Sequence, residues 1–222
     1  MHPDYLAPHY ANSALLCIDM QNDFVLPQAD YAIPGTHEVA PAVALLANHF
    51  RTAGRPIYHA VRLYLPDGSN VDACRRALIQ SGRQIVAPGS SGAELIDLLN
   101  PSGERMDTDR LLSGDFQWLR SGLEAIFYKP RWSAFHETRL HTELQARRID
   151  TLVIAGCNYP NCPRATIYDA TSLDYRVVLA KDAVSRLYPQ GEEEMRGIGV
   201  TLSSFQEIGA LLPPALTSPP TQ

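Results

Sequence analysis

Thr151-Leu-Val-Ile-Ala-Gly-Cys-Asn-Tyr-Pro-Asn-Cys-Pro-Arg-Ala-Thr166 is the stretch on which the reading of this chain turns. Its first six residues form an apolar run without polar alternation, the pattern of a strand buried on both faces. Gly156 ends the run and a short loop follows. Cys162 then stands directly before Pro163. Proline favours the first position of a helix, because its missing N–H would have no partner there anyway. Ile167, Ala170 and Leu173 fall on one helical face, so Pro163 to Asp174 is expected to be a helix. The segment therefore reads as strand, loop and helix, with a cysteine where the helix begins.

The same alternation extends outward. Ala14 to Asp19, Pro56 to Arg62, Glu124 to Lys129 and Arg176 to Ala180 are further short apolar runs, and a last strand and short helix close the chain. Helical spacing marks His37 to Ala53, Val71 to Ser81, Glu137 to Arg148 and Gln190 to Ile198. Leu63 to Asn70, with Pro66-Asp67-Gly68, is a turn-rich loop. Residues 84–123 are harder to read; Ala93 to Leu99 is an apolar helix candidate there and the rest is irregular. Buried strands alternating with helices imply a parallel sheet covered on both faces, a three-layer α-β-α arrangement of the α/β class. Residues 1–13 read as an N-terminal extension, 14–212 as one domain and 213–222 as a Pro-rich tail.

Composition narrows the function classes. The 222 residues are 45% hydrophobic and 19% charged, with a net charge of −5. That balance, without clustered Lys and Arg, argues against a nucleic-acid partner. No apolar run approaches the roughly 18 residues needed to cross a bilayer, so no membrane partner is expected. Met1 to Ser13 is polar and Pro-rich and lacks the basic start of a secretory leader. A cytoplasmic location follows as the expectation, with the four cysteines as reduced thiols.

In such sheets ligands bind at the carboxyl ends of the strands. Asp19, Arg62, Lys129 and Gly156 all fall at those ends, which gathers them on one edge. Cys162 at a helix N-terminus would be held as thiolate by the partial positive charge there. An alkylating reagent should then label it ahead of Cys17 and Cys74, which read as buried structural thiols. Taken alone, a buried structural role for Cys162 would be the commoner outcome. Lys129, at the end of an apolar strand, would need a carboxylate partner if buried, and Asp19 would serve. Arg62 reads either as one half of a surface ion pair or as a substrate clamp. Phe24, Trp132 and Phe135 read as pocket lining or as packing. Arg164 would pair with Asp169 or face the sheet. His59, within a strand, reads as a packed core residue.

Three segments carry a resemblance: Ile18-Asp19-Met20-Gln21-Asn22-Asp23-Phe24, Lys129-Pro-Arg-Trp-Ser-Ala-Phe135, and Gly156 to Thr166. Their order and spacing are similar to the signature segments of the isochorismatase-like cysteine hydrolases, over most of the chain. The resemblance implies a six-stranded, mostly parallel sheet and a catalytic triad of Asp19, Lys129 and Cys162, with Cys162 as nucleophile. It also implies a non-proline cis peptide at Cys157–Asn158, which would turn the Asn158 and Cys162 N–H groups into an oxyanion hole. A homo-oligomer, dimer or tetramer, is implied in the same way. No cofactor and no metal are expected: the Asp-x-His…His cluster that nicotinamidases of the family carry after their second strand is missing from Arg62 to Val71.

The chain departs from the common family pattern in the loop before the nucleophile, which reads Asn158-Tyr-Pro-Asn161, and in Pro163 after it. Tyr159 and Asn161 are thus candidates for substrate binding. The Arg62 to Asp72 and Cys157 to Pro163 segments resemble streptothricin hydrolases, which open a cyclic amide. The activity implied is hydrolysis of an amide or lactam C–N bond of a small molecule through a thioester. Ureido or carbamoyl cleavage, isochorismate-type vinyl-ether hydrolysis, and a catalytically silent binding protein of the same fold are the alternatives.

Overall fold

The computed structural model describes residues 4–100, 102–119 and 122–214. Its elements run in the order β1 (Ser13–Ile18), α1 (Asn22–Val25), α2 (Thr36–Thr52), β2 (Ile57–Val61), α3 (Ala73–Gln80), α4 (Thr108–Leu112), β3 (Gln117–Leu119), β4 (Glu124–Tyr128), α5 (Leu140–Ala146), β5 (Thr151–Gly156), α6 (Cys162–Ser172), β6 (Arg176–Val184), α7 (Pro189–Gly197), β7 (Thr201–Ser203) and α8 (Phe205–Leu211). The strands form one sheet in the order β3-β4-β2-β1-β5-β6-β7. All pairings are parallel except that of β3 with β4.

Two layers of helices follow from the strands' own alternation. Successive side chains of a strand point to opposite faces. In β1, Leu15 and Cys17 join a core with Val43, Leu46 and Phe50 of α2 and Ile208 of α8. Ala14, Leu16 and Ile18 join a second core with Leu140 and Leu144 of α5, Ile167 and Ala170 of α6 and Met195 of α7. Every residue of β1, β2 and β5 is buried, which is why these runs lack polar alternation.

Three expectations are corrected here. The sheet has seven strands, not six: β3 is a three-residue antiparallel edge strand, with Gln117, Trp118 and Leu119 paired to Ile126, Ala125 and Glu124. So short a run carries no periodicity, and only its partner makes it a strand. The helix expected over 93–99 does not form. Leu95 bridges Gln21, and the Ile96 N–H donates to Met20 O at 3.1 Å, so this backbone is committed to the segment after β1. Cys74 is exposed on α3 rather than buried. The Pro-rich tail lies largely outside the described residues. Among them, no helix is long and apolar enough to cross a membrane.

The register aligns the carboxyl ends. Ile18 is opposite both Ala60 and Gly156, and Val61 is opposite Tyr128. The chain leaves β1 for β2 on one side, while β5 adds on the other. The crevice between β1 and β5 is therefore the place where strand order reverses, the usual position for a ligand in such a sheet.

Candidate active site

Asp19 follows β1 directly, in a left-handed conformation (φ 54°), with its N–H donating to Ala60 O at 2.9 Å. Lys129 follows β4, its N–H held by Val61 O at 3.0 Å. Because β2 lies between β4 and β1, the two backbones are on the order of 10 Å apart. A four-carbon lysine stem and a carboxylate arm close that gap: Lys129 Nζ is 3.0 Å from Asp19 Oδ2. Lys129 is 0% exposed and also donates to Arg131 O at 3.3 Å. Asp19 Oδ1 is buried without a nitrogen or oxygen partner.

Cys162 is brought to this pair by the end of β5. Gly156 sits at φ +112°, and a Cβ there would stand 2.3 Å from Ile18 O. Only glycine lets β5 approach β1 this closely while turning out of the sheet. The Cys157 N–H then donates to Ile18 O at 2.8 Å. Tyr159 anchors the loop from below; its N–H binds Ser185 O and its hydroxyl donates to Gly191 O, both at 2.9 Å. Cys162 opens α6. Thr166 on the first turn donates to Cys162 O at 2.7 Å and accepts from the Ala134 N–H at 3.0 Å, which ties the helix start to the segment after Lys129.

The thiol is not the resting thiolate expected from its helix position. Cys162 is 7% exposed. Burial, and after it the charge of Asp19, pushes the thiol up to about 11; Lys129 and Arg62 pull the other way, and hydrogen bonding to Asp19 adds a smaller upward push. The partial charge of a helix end is a smaller influence than loss of water. The Cys157–Asn158 peptide is trans, as are all others described, so the expected cis bond is absent; Gly156 makes the turn instead. The N–H groups of Asn158 and Cys162 nonetheless find no acceptor among the described residues. Asn158 Oδ1 is likewise buried without a partner. Buried polar atoms are nearly always paired; here Asp19 Oδ1, Asn158 Oδ1 and the two N–H groups are not.

The remaining sequence candidates divide. Arg62 is 1% exposed, not at a rim. It ion-pairs with Asp72, reaches the Tyr64 hydroxyl through Nε and Nη2 (3.3 and 3.2 Å), and Lys129 O through Nη1 (3.4 Å). Phe24 is buried in the core beneath α2. Phe135 stacks on Tyr175, with ring centres 5.8 Å apart, and Trp132 is exposed. Tyr159 is spent on anchoring. Asn161 precedes α6 without capping it. Arg164 pairs with Glu194 at 2.8 Å, not with Asp169. His59 is buried and bonded to Glu124 at 2.8 Å.

Two participants were not singled out from sequence. Gln21 holds Arg62 in register, donating to Arg62 O and accepting from its N–H, both at 2.8 Å. The Gln within Ile18 to Phe24 was there to be weighed. Arg75 on α3 donates to the Tyr64 hydroxyl at 2.9 Å; nothing in the local sequence sets it apart from Arg76. A cavity of about 430 Å³ opens beside Lys129, lined by Asn70, Tyr128, Pro130 and Arg131 among others, but it contains none of Asp19, Lys129 and Cys162.

Comparison with known proteins agrees with this arrangement of strands. The chain is 33% identical over 208 residues to a probable inactive nicotinamidase of Arabidopsis thaliana, covering 91% of this chain and 97% of that one. It is 26% identical over 176 residues to an N-carbamoylsarcosine amidase of an Arthrobacter species, covering 79% of this chain and 60% of the relative's length. The structure of an isochorismatase family protein from Desulfovibrio vulgaris superposes with a TM-score of 0.76 at 33% identity, over 91% of this chain and 98% of that one. The isochorismatase domain matches residues 13–198. The chain belongs to the isochorismatase family.

Proposed function

We propose that this protein is a hydrolase that cleaves an amide-type C–N bond of a small molecule, with Cys162 as nucleophile and a thioester as intermediate. The observation that carries the reading is the buried Lys129–Asp19 pair beside a thiol that opens a helix. The similarity to an amidase of Arthrobacter supports the bond type.

The chemistry follows from the atoms. A thiol held near 11 is protonated at neutral pH, so it must lose its proton as it attacks. Asp19 is the hydrogen-bonding carboxylate beside it, and Lys129 on Oδ2 holds it in place. As sulfur bonds to the carbonyl carbon, the unpaired N–H groups of Asn158 and Cys162 are donors for the oxyanion. Asp19 returns the proton to the departing nitrogen. Water, deprotonated by Asp19, then releases the acid and restores the thiol.

Two further readings each have an observation behind them. A ureido or carbamoyl nitrogen as leaving group fits the same steps, and the Arthrobacter relative is named for a carbamoyl substrate. A catalytically silent protein of the same fold is favoured by the Arabidopsis relative, described as probably inactive. One experiment separates them. A panel of small amides, lactams and ureido acids is assayed for ammonia or amine release with wild type and Cys162→Ala. Turnover that disappears in Cys162→Ala supports the cysteine mechanism, and the active member of the panel names the leaving group. Equal turnover in both proteins rules the mechanism out, and none in either favours the silent reading.

A further inference from the structure

The loop from β5 to α6 is held without the help of the Asn158 side chain. The Cys157 N–H donates to Ile18 O at 2.8 Å, the Tyr159 N–H to Ser185 O and the Tyr159 hydroxyl to Gly191 O, both at 2.9 Å, and the Asn161 N–H to Asn158 O at 3.1 Å. The Asn158 carboxamide takes part in none of these bonds. The residue is 5% exposed, its Oδ1 is buried without a partner, and its Nδ2 meets no acceptor among the described residues. A carboxamide both donates and accepts, and one that is buried and idle costs stability.

Its place is at the reacting edge of the sheet. Ile18 of β1 is paired with Gly156 of β5, so Asp19 and Cys157-Asn158 are the residues that next leave these two strands. The Cys157 side chain enters the core beneath α2, and that of Tyr159 enters the opposite core toward α7. Asn158, between them, is left over the crevice between β1 and β5. The turn closed by the Asn161 N–H then brings the chain to Cys162. The buried orphan atom is an acceptor, and the two unpaired N–H groups of Asn158 and Cys162 are donors. An acceptor for N–H beside donors for C=O is the complement of an amide, lactam or ureido group. An ester or an N,N-disubstituted amide has no N–H and would leave Oδ1 buried and unpaired.

We propose that Asn158 Oδ1 accepts an N–H of the substrate, and so selects amide, lactam or ureido groups that carry one over esters and N,N-disubstituted amides. This rests on the hydrolase reading for its meaning, but the contact itself can be tested without turnover. Iodoacetamide, its N-methyl form and its N,N-dimethyl form all alkylate a thiolate, with an S–CH2 bond forming as iodide leaves. The first two carry an N–H and the third carries none. Labelling of Cys162 by each is followed at pH 9 by peptide mass analysis, with exposed Cys74 as internal reference. Wild type is compared with Asn158→Ala and with Asn158→Leu, which keeps the bulk of the side chain and loses the acceptor, and urea unfolding is measured for all three.

Relative to Cys74, Cys162 of wild type should take the two N–H reagents over the dimethyl form on the order of tenfold or more, the scale of a buried acceptor left without its donor. Both variants should lose that preference. Their urea midpoints should equal or exceed that of wild type, because the carboxamide holds nothing in the free protein. No preference in wild type, or the same preference in both variants, overturns the proposal. An N-methyl form that lags with the dimethyl form also overturns it, because size and not the N–H then sets the rate. So does a lower midpoint in both variants, which reports a structural role. Failure of the hydrolase reading, seen as Cys162-independent turnover, would leave the labelling result standing.

Discussion

Lys129 Nζ lies 3.0 Å from Asp19 Oδ2, with both side chains withdrawn from solvent. The pair joins β4 to β1 across the top of β2, so it is a tether of the sheet's carboxyl edge as well as part of the proposed chemistry. Removing one partner of a buried pair leaves an uncompensated charge and costs about 3–5 kcal/mol. Asp19→Asn and Lys129→Met are each expected to lose stability on that scale. The double variant should lose clearly less than the sum, with a coupling above about 1 kcal/mol. Urea unfolding of the four proteins checks this; additive losses would mean that the two groups do not hold one another.

The thiol of Cys162 is raised to about 11 by burial and then by Asp19. A raised value means less thiolate at neutral pH than an ordinary cysteine has. Iodoacetamide should therefore label exposed Cys74 first at pH 7.5, and labelling of Cys162 should climb about tenfold per pH unit up to its own value. Asp19→Asn removes the neighbouring negative charge, so it should speed labelling of Cys162 at pH 8 while abolishing turnover. A slower rate in that variant would contradict the assigned electrostatics. The measurement is a labelling-rate profile against pH.

Gly156 is required twice, by its φ of +112° and by Ile18 O at 2.3 Å from any Cβ. The clash is with backbone, which has no rotamer to yield. Gly156→Ala should cost about 3 kcal/mol or more. It should also displace Asp19, the residue next to Ile18, and so lower turnover in whatever protein remains folded. Thermal unfolding with an activity assay on the folded fraction tests both; a variant within about 0.5 kcal/mol of wild type would show that the approach of β5 to β1 is slack.

Glu124 is buried at the start of β4, between His59 and Arg51. Burial pushes its carboxyl upward, but hydrogen bonds and charge from His59 and Arg51 outweigh this and hold it at about 2, against an ordinary 4.5. A carboxyl depressed by folding contributes stability above its unfolded value, and that contribution drains away as pH falls from about 4.5 toward about 2. The amount is on the order of 3 kcal/mol. Glu124→Gln should be less stable at pH 7 and should show a flatter loss across that acid window. Urea midpoints from pH 7 to pH 2.5 decide it; parallel curves for both proteins would remove Glu124 as the cause.

The sequence by itself determined the order of the six parallel strands, and hence that Asp19, Lys129 and the loop to Cys162 leave the sheet at one edge. Those features are written locally: an apolar run buries as a strand, Pro163 starts a helix, Gly156 ends a strand. Tertiary structure decided what depends on distant partners. Gln117 to Leu119 are a strand only because β4 is beside them, and 93–99 are not a helix because Gln21 and Met20 take their backbone groups. Arg62 becomes a buried, paired cation only where Asp72 and Tyr64 meet it. The state of the Cys162 thiol belongs with these. Its helix position is legible in Cys162-Pro163, but burial and the carboxylate beside it are set by segments far along the chain, and they outweigh the helix end.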